Sequence, residues 1–141
     1  IGVVRSGHPI LKQKISPNEM TKWPHAYIAV SANTQRKDEL YKSLNITPSN
    51  DIIVREPYFL VAPLIVEKSD LILIMPEMGA RVMAQIIDVT LFELPTDIKT
   101  FPFIQVWQRQ RDNDKMHKWL RQQVKDVCRK IEYFFNPRKN N

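Results

Sequence analysis

The sequence of 141 residues contains one cysteine, three glycines and no long apolar run. A single thiol, Cys128, excludes an internal disulfide and a cysteine-rich metal site. Three glycines are too few for most backbone phosphate cradles, and the chain has neither a Gly-x-Ser-x-Gly elbow nor a phosphate loop. A membrane-spanning helix needs about 18 consecutive apolar residues. We therefore expect no enzymatic activity, no cofactor and no membrane association.

The histidines also lack the spacing of a metal site. His8, His25 and His117 lie far apart in the sequence, so we expect no zinc. His117 follows Asp114 by three residues, which favours a surface pair on one helix face. Cys128 falls on the apolar side of the same predicted helix, so we expect a buried, structural thiol there.

The net charge of +6 is concentrated at one end of the chain. Residues 109–139 contain ten Lys or Arg and four Asp or Glu, whereas residues 1–108 contain eleven of each. A basic helix is one footprint of nucleic-acid binding. Because no recognition motif or row of stacking aromatics accompanies these charges, we favour a solvated or partner-facing surface over direct nucleic-acid contact.

Apolar runs bounded by turn residues alternate with helical patterns. Six runs predict strands, at Ile1–Arg5, Ala26–Ser31, Asp51–Arg55, Leu71–Ile74, Thr90–Leu94 and Phe103–Arg109. Four segments predict helices, at Thr34–Leu44, Pro57–Lys68, Glu77–Ile87 and Asp112–Phe135. Strands that alternate with helices imply an α/β fold with a mostly parallel sheet buried on both faces.

The order of these elements predicts two lobes. Residues 21–97 give a self-contained β-α-β-α-β-α-β lobe. Residues 1–20 are interpreted as part of a first lobe and a first crossover, and residues 98–141 as a second crossover, a returning strand and the last helix of that first lobe. Two strands and one helix make a poor core. We therefore expect a fragment of a longer protein, with exposed strand edges and apolar surface that favour self-association.

Four short motifs in this order point to a family. The chain contains Arg5-x-Gly7-His8-Pro9-Ile10, then Pro57-Tyr58-Phe59-Leu60-Val61-Ala62-Pro63, then Ser69-Asp70-Leu71-Ile72 with Met75-Pro76, and finally Trp107 with Trp119-Leu120-Arg121. Together they resemble the effector-binding domain of LysR-type transcriptional regulators, over Ile1 to about Phe134. Gln108 departs from the branch that this ending resembles, which often has His at that position.

The resemblance implies a type II periplasmic-binding-protein-like fold, with a complete second lobe and a partial first lobe. It also implies a cytoplasmic, dimeric regulator in which a small molecule binds between the lobes and shifts how paired subunits hold DNA. DNA contact would belong to an N-terminal winged helix-turn-helix that this chain lacks. Two alternatives remain open: a periplasmic solute-binding protein, and a nucleic-acid binder that uses the basic last helix.

Candidate effector contacts lie where predicted strands end and helices begin. They are Ser31, Glu56, Tyr58, Phe59 and Met75. Each has a simpler structural role: packing for the two aromatic rings, core filling for Met75, and a favourable interaction with a helix dipole for Glu56. The charge of the effector stays open.

His8, in the first predicted linker, is a further candidate contact. A turn histidine with a structural hydrogen bond is favoured over a ligand contact there.

Overall fold

The computed structural model describes residues 1–29, 40–47, 51–96 and 104–135, without the side chains of 132–135. The described residues fall into two compact units, Ile1–Ile98 and Lys99–Asn141. Among the described residues, no helix is long and apolar enough to cross a membrane.

The first unit is built on a five-stranded sheet. Its strands are β1 (Gly2–Arg5), β2 (His25–Ile28), β3 (Ile52–Glu56), β4 (Ile72–Ile74) and β5 (Val89–Phe92). Their order across the sheet is β3-β2-β4-β1-β5. β2 is parallel to β3 and to β4, whereas β1 is antiparallel to both β4 and β5. β2 to β5 therefore all run in one direction, and β1 runs against them. Two of the four strand pairs are parallel and two are antiparallel, so the α/β prediction is confirmed but the sheet is mixed and not mostly parallel.

The position of β1 differs from our expectation. We assigned residues 1–20 to a partial first lobe, but β1 lies inside the sheet of the first unit, with Gly2 opposite Ile74 on one side and Phe92 on the other. The physical reason is hydrogen bonding: β4 and β5 each need a neighbour for their inner edge, and β1 supplies it to both. The compact unit accordingly begins at Ile1.

Two apolar clusters cover the two faces of the sheet. Along β1, Val3 belongs to one cluster and Val4 to the other. Along β4, Leu73 packs with Val3, while Ile72 and Ile74 pack with Val4. This alternation follows from the two-residue period of a strand. The sheet is therefore buried on both faces, as the continuous apolar runs predict.

The helices of the first unit are short. They are α1 (Pro17–Met20), α2 (Val61–Glu67) and α3 (Glu77–Met83), with a 3-10 helix at Pro9–Lys12. Residues 40–43 are also helical, which is the described end of the segment predicted at Thr34–Leu44. Ser16 caps α1 by accepting a hydrogen bond from the Glu19 N–H at 3.2 Å.

The start of α2 differs from prediction. We expected a helix from Pro57, but α2 begins four residues later, at Val61. Before it, the Glu56 carboxylate accepts the Tyr58 N–H at 3.0 Å, and the Tyr58 carbonyl accepts the Val61 N–H at 3.1 Å. These bonds close a turn after β3, so Pro63 occupies the first turn of the helix instead of Pro57.

The second unit contains α4 (Lys115–Phe135), preceded by a 3-10 helix at Arg109–Arg111. Asp114 caps α4, since its carboxylate accepts the N–H groups of Met116 and His117 at 3.0 and 3.1 Å. The thiol of Cys128 is exposed, so the prediction of a buried thiol is wrong. An amphipathic pattern locates an apolar face but does not supply the surface that buries it.

The predicted strand Phe103–Arg109 is also wrong in its described part. Residues 104–108 are irregular, and Ile104 and Val106 are 74% and 84% exposed. Among the described residues, no strand pairs with this segment. A strand without a neighbour leaves its backbone groups to water, so an apolar, β-branched sequence alone does not hold the extended ladder.

Candidate functional site

The carboxyl ends of β2, β3 and β4 lie side by side at one edge of the sheet. Ile28, near the end of β2, is opposite Glu56, the last residue of β3. The Glu56 carbonyl also accepts the N–H of Ala29 at 2.9 Å, which continues the ladder past both strand ends. This edge is where ligands bind in open parallel sheets.

Glu56 and Tyr58 are brought together at this edge. The Glu56 carboxylate accepts the Tyr58 N–H at 3.0 Å, which fixes the turn and leaves the ring of Tyr58 68% exposed. Phe59 follows in the same turn and is exposed to a smaller extent. The turn therefore carries a carboxylate and two exposed aromatic side chains within four consecutive residues. Such a surface offers a hydrogen-bond acceptor and stacking area to a small planar molecule.

Met75 is placed beneath this edge rather than on it. Its side chain is 4% exposed and packs in the same cluster as Leu73 and Ala80. Its methyl group is so close to Gly79 that a Cβ added there would lie 3.1 Å from it. Met75 thus fills the core, which is the structural role that the sequence also allowed.

In α3, the helix that follows β4, an acidic and a basic side chain form an ion pair with each other. Glu77, the first residue of α3, accepts hydrogen bonds from the Arg81 guanidinium at 2.6 and 2.8 Å. At the end of β3, the Arg55 guanidinium lies 5.4 Å from the centre of the Tyr27 ring, a cation–π distance. Glu77 is therefore already paired within its helix, and Arg55 lies against its neighbour across the ladder.

Ser31 lies outside the described residues, so its predicted place at the end of β2 stays a prediction.

His8 lies at the opposite edge of the sheet. It comes shortly after Arg5, the last residue of β1, which pairs with Val89 at the amino end of β5. The Nε2 atom of His8 is 3.2 Å from the carbonyl oxygen of Asp70, just before β4. Nδ1 accepts the Ile10 N–H at 3.1 Å and caps the 3-10 helix. Because Nδ1 is the acceptor, Nε2 carries the proton. The side chain is fully buried, and burial lowers the pKa of His8. The structure does not bring His8 to the candidate edge.

His25 is a buried histidine whose role the sequence did not reveal. It opens β2, is fully buried, and places Nε2 3.0 Å from the Met20 carbonyl. Burial lowers the pKa of His25 as well. In the sequence, the only sign that His25 is buried is its position directly before an apolar run. Within the described ranges, no group of His, Cys, Asp and Glu side chains could hold a metal ion.

The start of α4 contains a second cluster that sequence reasoning missed. Arg121 contacts Trp107, Asp112 and His117 through its guanidinium group. We predicted a pair between His117 and Asp114, but the Asp114 carboxylate bonds to the backbone of His117 and not to its ring. An i, i+3 spacing is equally compatible with a capping bond. Here the Asp114 carboxylate accepts hydrogen bonds from free N–H groups of the first turn of α4.

No protein-family model matches this chain. In sequence it is 26% identical over 125 residues to the HTH-type transcriptional regulator SyrM 1 of Sinorhizobium fredii, covering 86% of this chain and 36% of that protein. It is 22% identical over 122 residues to the HTH-type transcriptional regulator SyrM of Rhizobium etli, with 86% and 36% covered. The chain thus spans just over a third of the length of these curated relatives.

Solved structures with a similar fold were also found. A Vibrio parahaemolyticus chain described as a transcriptional regulator superposes with a TM-score of 0.76 at 23% identity, covering 92% of this chain and 60% of that one. The regulatory domain of MexT, a transcriptional activator in Pseudomonas aeruginosa, superposes with a TM-score of 0.68 at 16% identity, covering 87% and 60%. These likenesses show the fold, which is the type II periplasmic-binding-protein-like α/β fold. The resemblance of the chain to the effector-binding domain of LysR-type transcriptional regulators is therefore confirmed, in sequence and in fold.

Proposed function

We propose that this chain is the effector-sensing and oligomerisation module of a cytoplasmic LysR-type transcription regulator, and that it binds a small molecule without transforming it. The observation that carries the proposal is the extent of similarity: it runs over 86% of this chain but only 36% of a curated HTH-type regulator. The structure that this chain resembles in MexT is the regulatory domain of that transcriptional activator. DNA contact belongs, in this proposal, to a separate domain of the whole protein.

The proposed effector surface is the carboxyl edge of the sheet. Glu56, Tyr58 and Phe59 supply an acceptor and two rings from one turn, and Ser31 is proposed to join them from the end of β2. Met75 supports this surface from the core. A ligand held at this edge changes the regulator only if it binds one arrangement of the protein more tightly than another. Assignment of residues 98–141 to a first lobe is part of the same proposal.

Self-association is the second part of the proposal. Apolar side chains are exposed in both units, at Leu60 and Leu64 around α2, and at Trp119, Leu120 and Val124 on α4. Larger exposed apolar patches mark interaction sites in soluble proteins.

The periplasmic solute-binding reading is not favoured, because the curated relatives are transcriptional regulators. The codons upstream of Ile1 separate the two. An encoded helix-turn-helix supports the regulator, and an encoded export signal contradicts it.

Thermal denaturation of the chain with a metabolite panel tests effector sensing. The panel should contain uncharged, carboxylate and amine compounds, each as aromatic and aliphatic members. We expect at least one planar compound to stabilise the chain, by about 2.7 kcal/mol at a free concentration of about 100 times its Kd. Tyr58→Ala and Glu56→Gln should remove that stabilisation. Trp119→Ala, which also truncates an exposed ring, is the matched control and should leave it unchanged.

Two results would count against these expectations in different ways. If no compound of any class stabilised the chain, effector sensing by this chain would be contradicted. If a compound bound equally well to Tyr58→Ala and Glu56→Gln, sensing would stand but the proposed surface would be wrong.

A further inference from the structure

Arg121 connects the segment before α4 to the second turn of that helix. Its guanidinium lies 4.3 Å from the centre of the Trp107 ring. Its Nη1 donates to the Arg111 carbonyl at 3.3 Å, and its Nη2 donates to the Asp112 carbonyl at 3.2 Å. The Trp107 indole N–H in turn donates to the Asp112 carboxylate at 3.2 Å. One side chain of α4 therefore holds residues 107–112 through two backbone bonds and a cation–π contact.

His117 is bonded to the same guanidinium. Its Nδ1 lies 2.8 Å from Nη1 of Arg121, one helical turn away. A guanidinium has donors only, so Nδ1 must be the acceptor. This requires a neutral imidazole whose proton is on Nε2. The side chain of Arg121 is 15% exposed, so few water molecules replace a lost partner.

A proton on Nδ1 removes the acceptor and places two cations 2.8 Å apart. The other charged side chains of this cluster are Arg111, Asp112 and Asp114. Arg111 pairs with Asp114 at 3.0 Å, and Asp112 lies 3.8 Å from Arg121. The remaining Asp114 oxygen accepts backbone N–H groups, including that of His117. Both carboxylates are therefore already engaged, and neither is bonded to the ring that would carry the new charge.

We propose that His117 and Arg121 form a pH-sensitive latch, in which neutral His117 holds Arg121 against Trp107 and the backbone of residues 111–112, and protonation releases this segment from α4. The latch lies within one unit and does not depend on effector sensing. Histidine is the side chain that ordinarily changes charge between about pH 5 and about pH 8. A change in cellular pH would then change how firmly residues 107–112, which lead into α4, are held against that helix.

The indole N–H resonance of Trp107 in the ¹⁵N-labelled chain reports the latch directly. Trp107→Phe identifies it among the three tryptophans. The Arg121→Ala variant gives the chemical shift of the Trp107 indole N–H in the released state, called the released position. The His117→Gln variant should give the same chemical shift, because the longer side chain has no acceptor where Nδ1 stands. On lowering the pH from about 8 to about 5, we expect the wild-type resonance to move from a distinct position to the released position.

His117→Asn is the matched control. Its amide oxygen stands near the place of Nδ1 and does not titrate, so the resonance should keep the latched position throughout this range. A wild-type resonance that stays in place would overturn the proposal. So would a His117→Asn resonance that moves together with the wild type, because another group would then be responsible. Far-UV circular dichroism of each variant checks that α4 is retained, and loss of α4 on acidification of the wild type would also count against a local latch.

Discussion

The two units of the molecule carry the same kind of apolar periodicity and use it differently. In the first unit, side chains at strand spacing are buried on both faces of a sheet, and Leu73 in β4 is 0% exposed. In the second unit, side chains at helical spacing line one face of α4, yet Leu120 and Trp119 are 51% and 62% exposed. Periodicity determines which side chains share a face. Burial requires a second surface, which β1 to β5 and their helices supply to each other.

The comparison also separates two ways in which polar groups are used. In the first unit, His8 and His25 are fully buried and hydrogen-bonded to backbone groups. In the second, His117 and Arg121 bond to each other near the surface. Buried histidines serve packing and hydrogen bonding of the core, whereas His117 is half-buried and its ring is hydrogen-bonded to a cationic side chain one helical turn away.

The largest expected difference comes from one substitution made in both units. Leu73→Ala removes a fully buried side chain and should lower the free energy of unfolding by about 2–5 kcal/mol. Leu120→Ala removes a half-exposed one and replaces it with the best helix former, so the change should stay within about 1 kcal/mol. Urea denaturation followed by circular dichroism measures both.

Equal losses for the two variants at concentrations at which the chain is monomeric would contradict the comparison. Equal losses at high concentration alone would instead reflect burial of Leu120 in the proposed self-associated form. Repeating the measurement at several protein concentrations decides this, because stability that depends on association rises with concentration.

A smaller effect is expected on self-association itself. Leu120→Glu with Val124→Glu places two charges one turn apart on the apolar face of α4, and should weaken association by about tenfold or more, or about 1.4 kcal/mol. Glutamate is a good helix former, so α4 should persist. Leu60→Glu with Leu64→Glu makes the same change at α2 and should have less effect, because α2 is only seven residues long. Sedimentation velocity gives the apparent mass of each variant.

The reverse order would locate the main association surface at α2 and not at α4. A wild-type chain that stays monomeric at every concentration would contradict the proposal of self-association.

Much of the first unit could be predicted because its signals are local. β2, β3, β4 and β5 each lie within two or three residues of an apolar run, and both faces of the sheet are buried as such runs imply. The place of β1 could not be read in the same way. Which strands a segment pairs with depends on residues more than 60 positions away, such as Ile74 and Phe92, and no local pattern encodes that choice.

The candidate site shows the same limit. Glu56 and Tyr58 are only two positions apart in sequence, so their meeting at a strand end could be predicted. His8 and Met75 depend on tertiary packing, which buries both and puts His8 at the far edge of the sheet. The Arg121 cluster was missed because cation–π and backbone contacts across 9 to 14 residues follow no simple spacing.

The smallest expected effect concerns the caps that begin a helix in each unit. Asp114→Ala removes the acceptor for two free N–H groups of α4 and should fray its first turn, seen as a small loss of helical circular dichroism. Ser16→Ala makes the matching change in α1 and should cost about 1 kcal/mol of global stability, because α1 belongs to the unit with the buried core. Asp114→Asn keeps an acceptor of nearly the same shape and should preserve most of the helix.

The pH dependence of Asp114 distinguishes a cap from a simple charge effect. The His117 N–H and the Arg111 guanidinium hold the pKa of Asp114 below its ordinary value. A depressed pKa means that the folded form binds fewer protons than the unfolded form, so the stabilisation is complete above about pH 3.9 and is lost as the pH falls further. Wild-type α4 should therefore fray on strong acidification, whereas Asp114→Asn should not show that step. If Asp114→Asn lost as much helix as Asp114→Ala at neutral pH, interaction of the charge with the helix dipole, rather than the capping bonds, would hold the first turn.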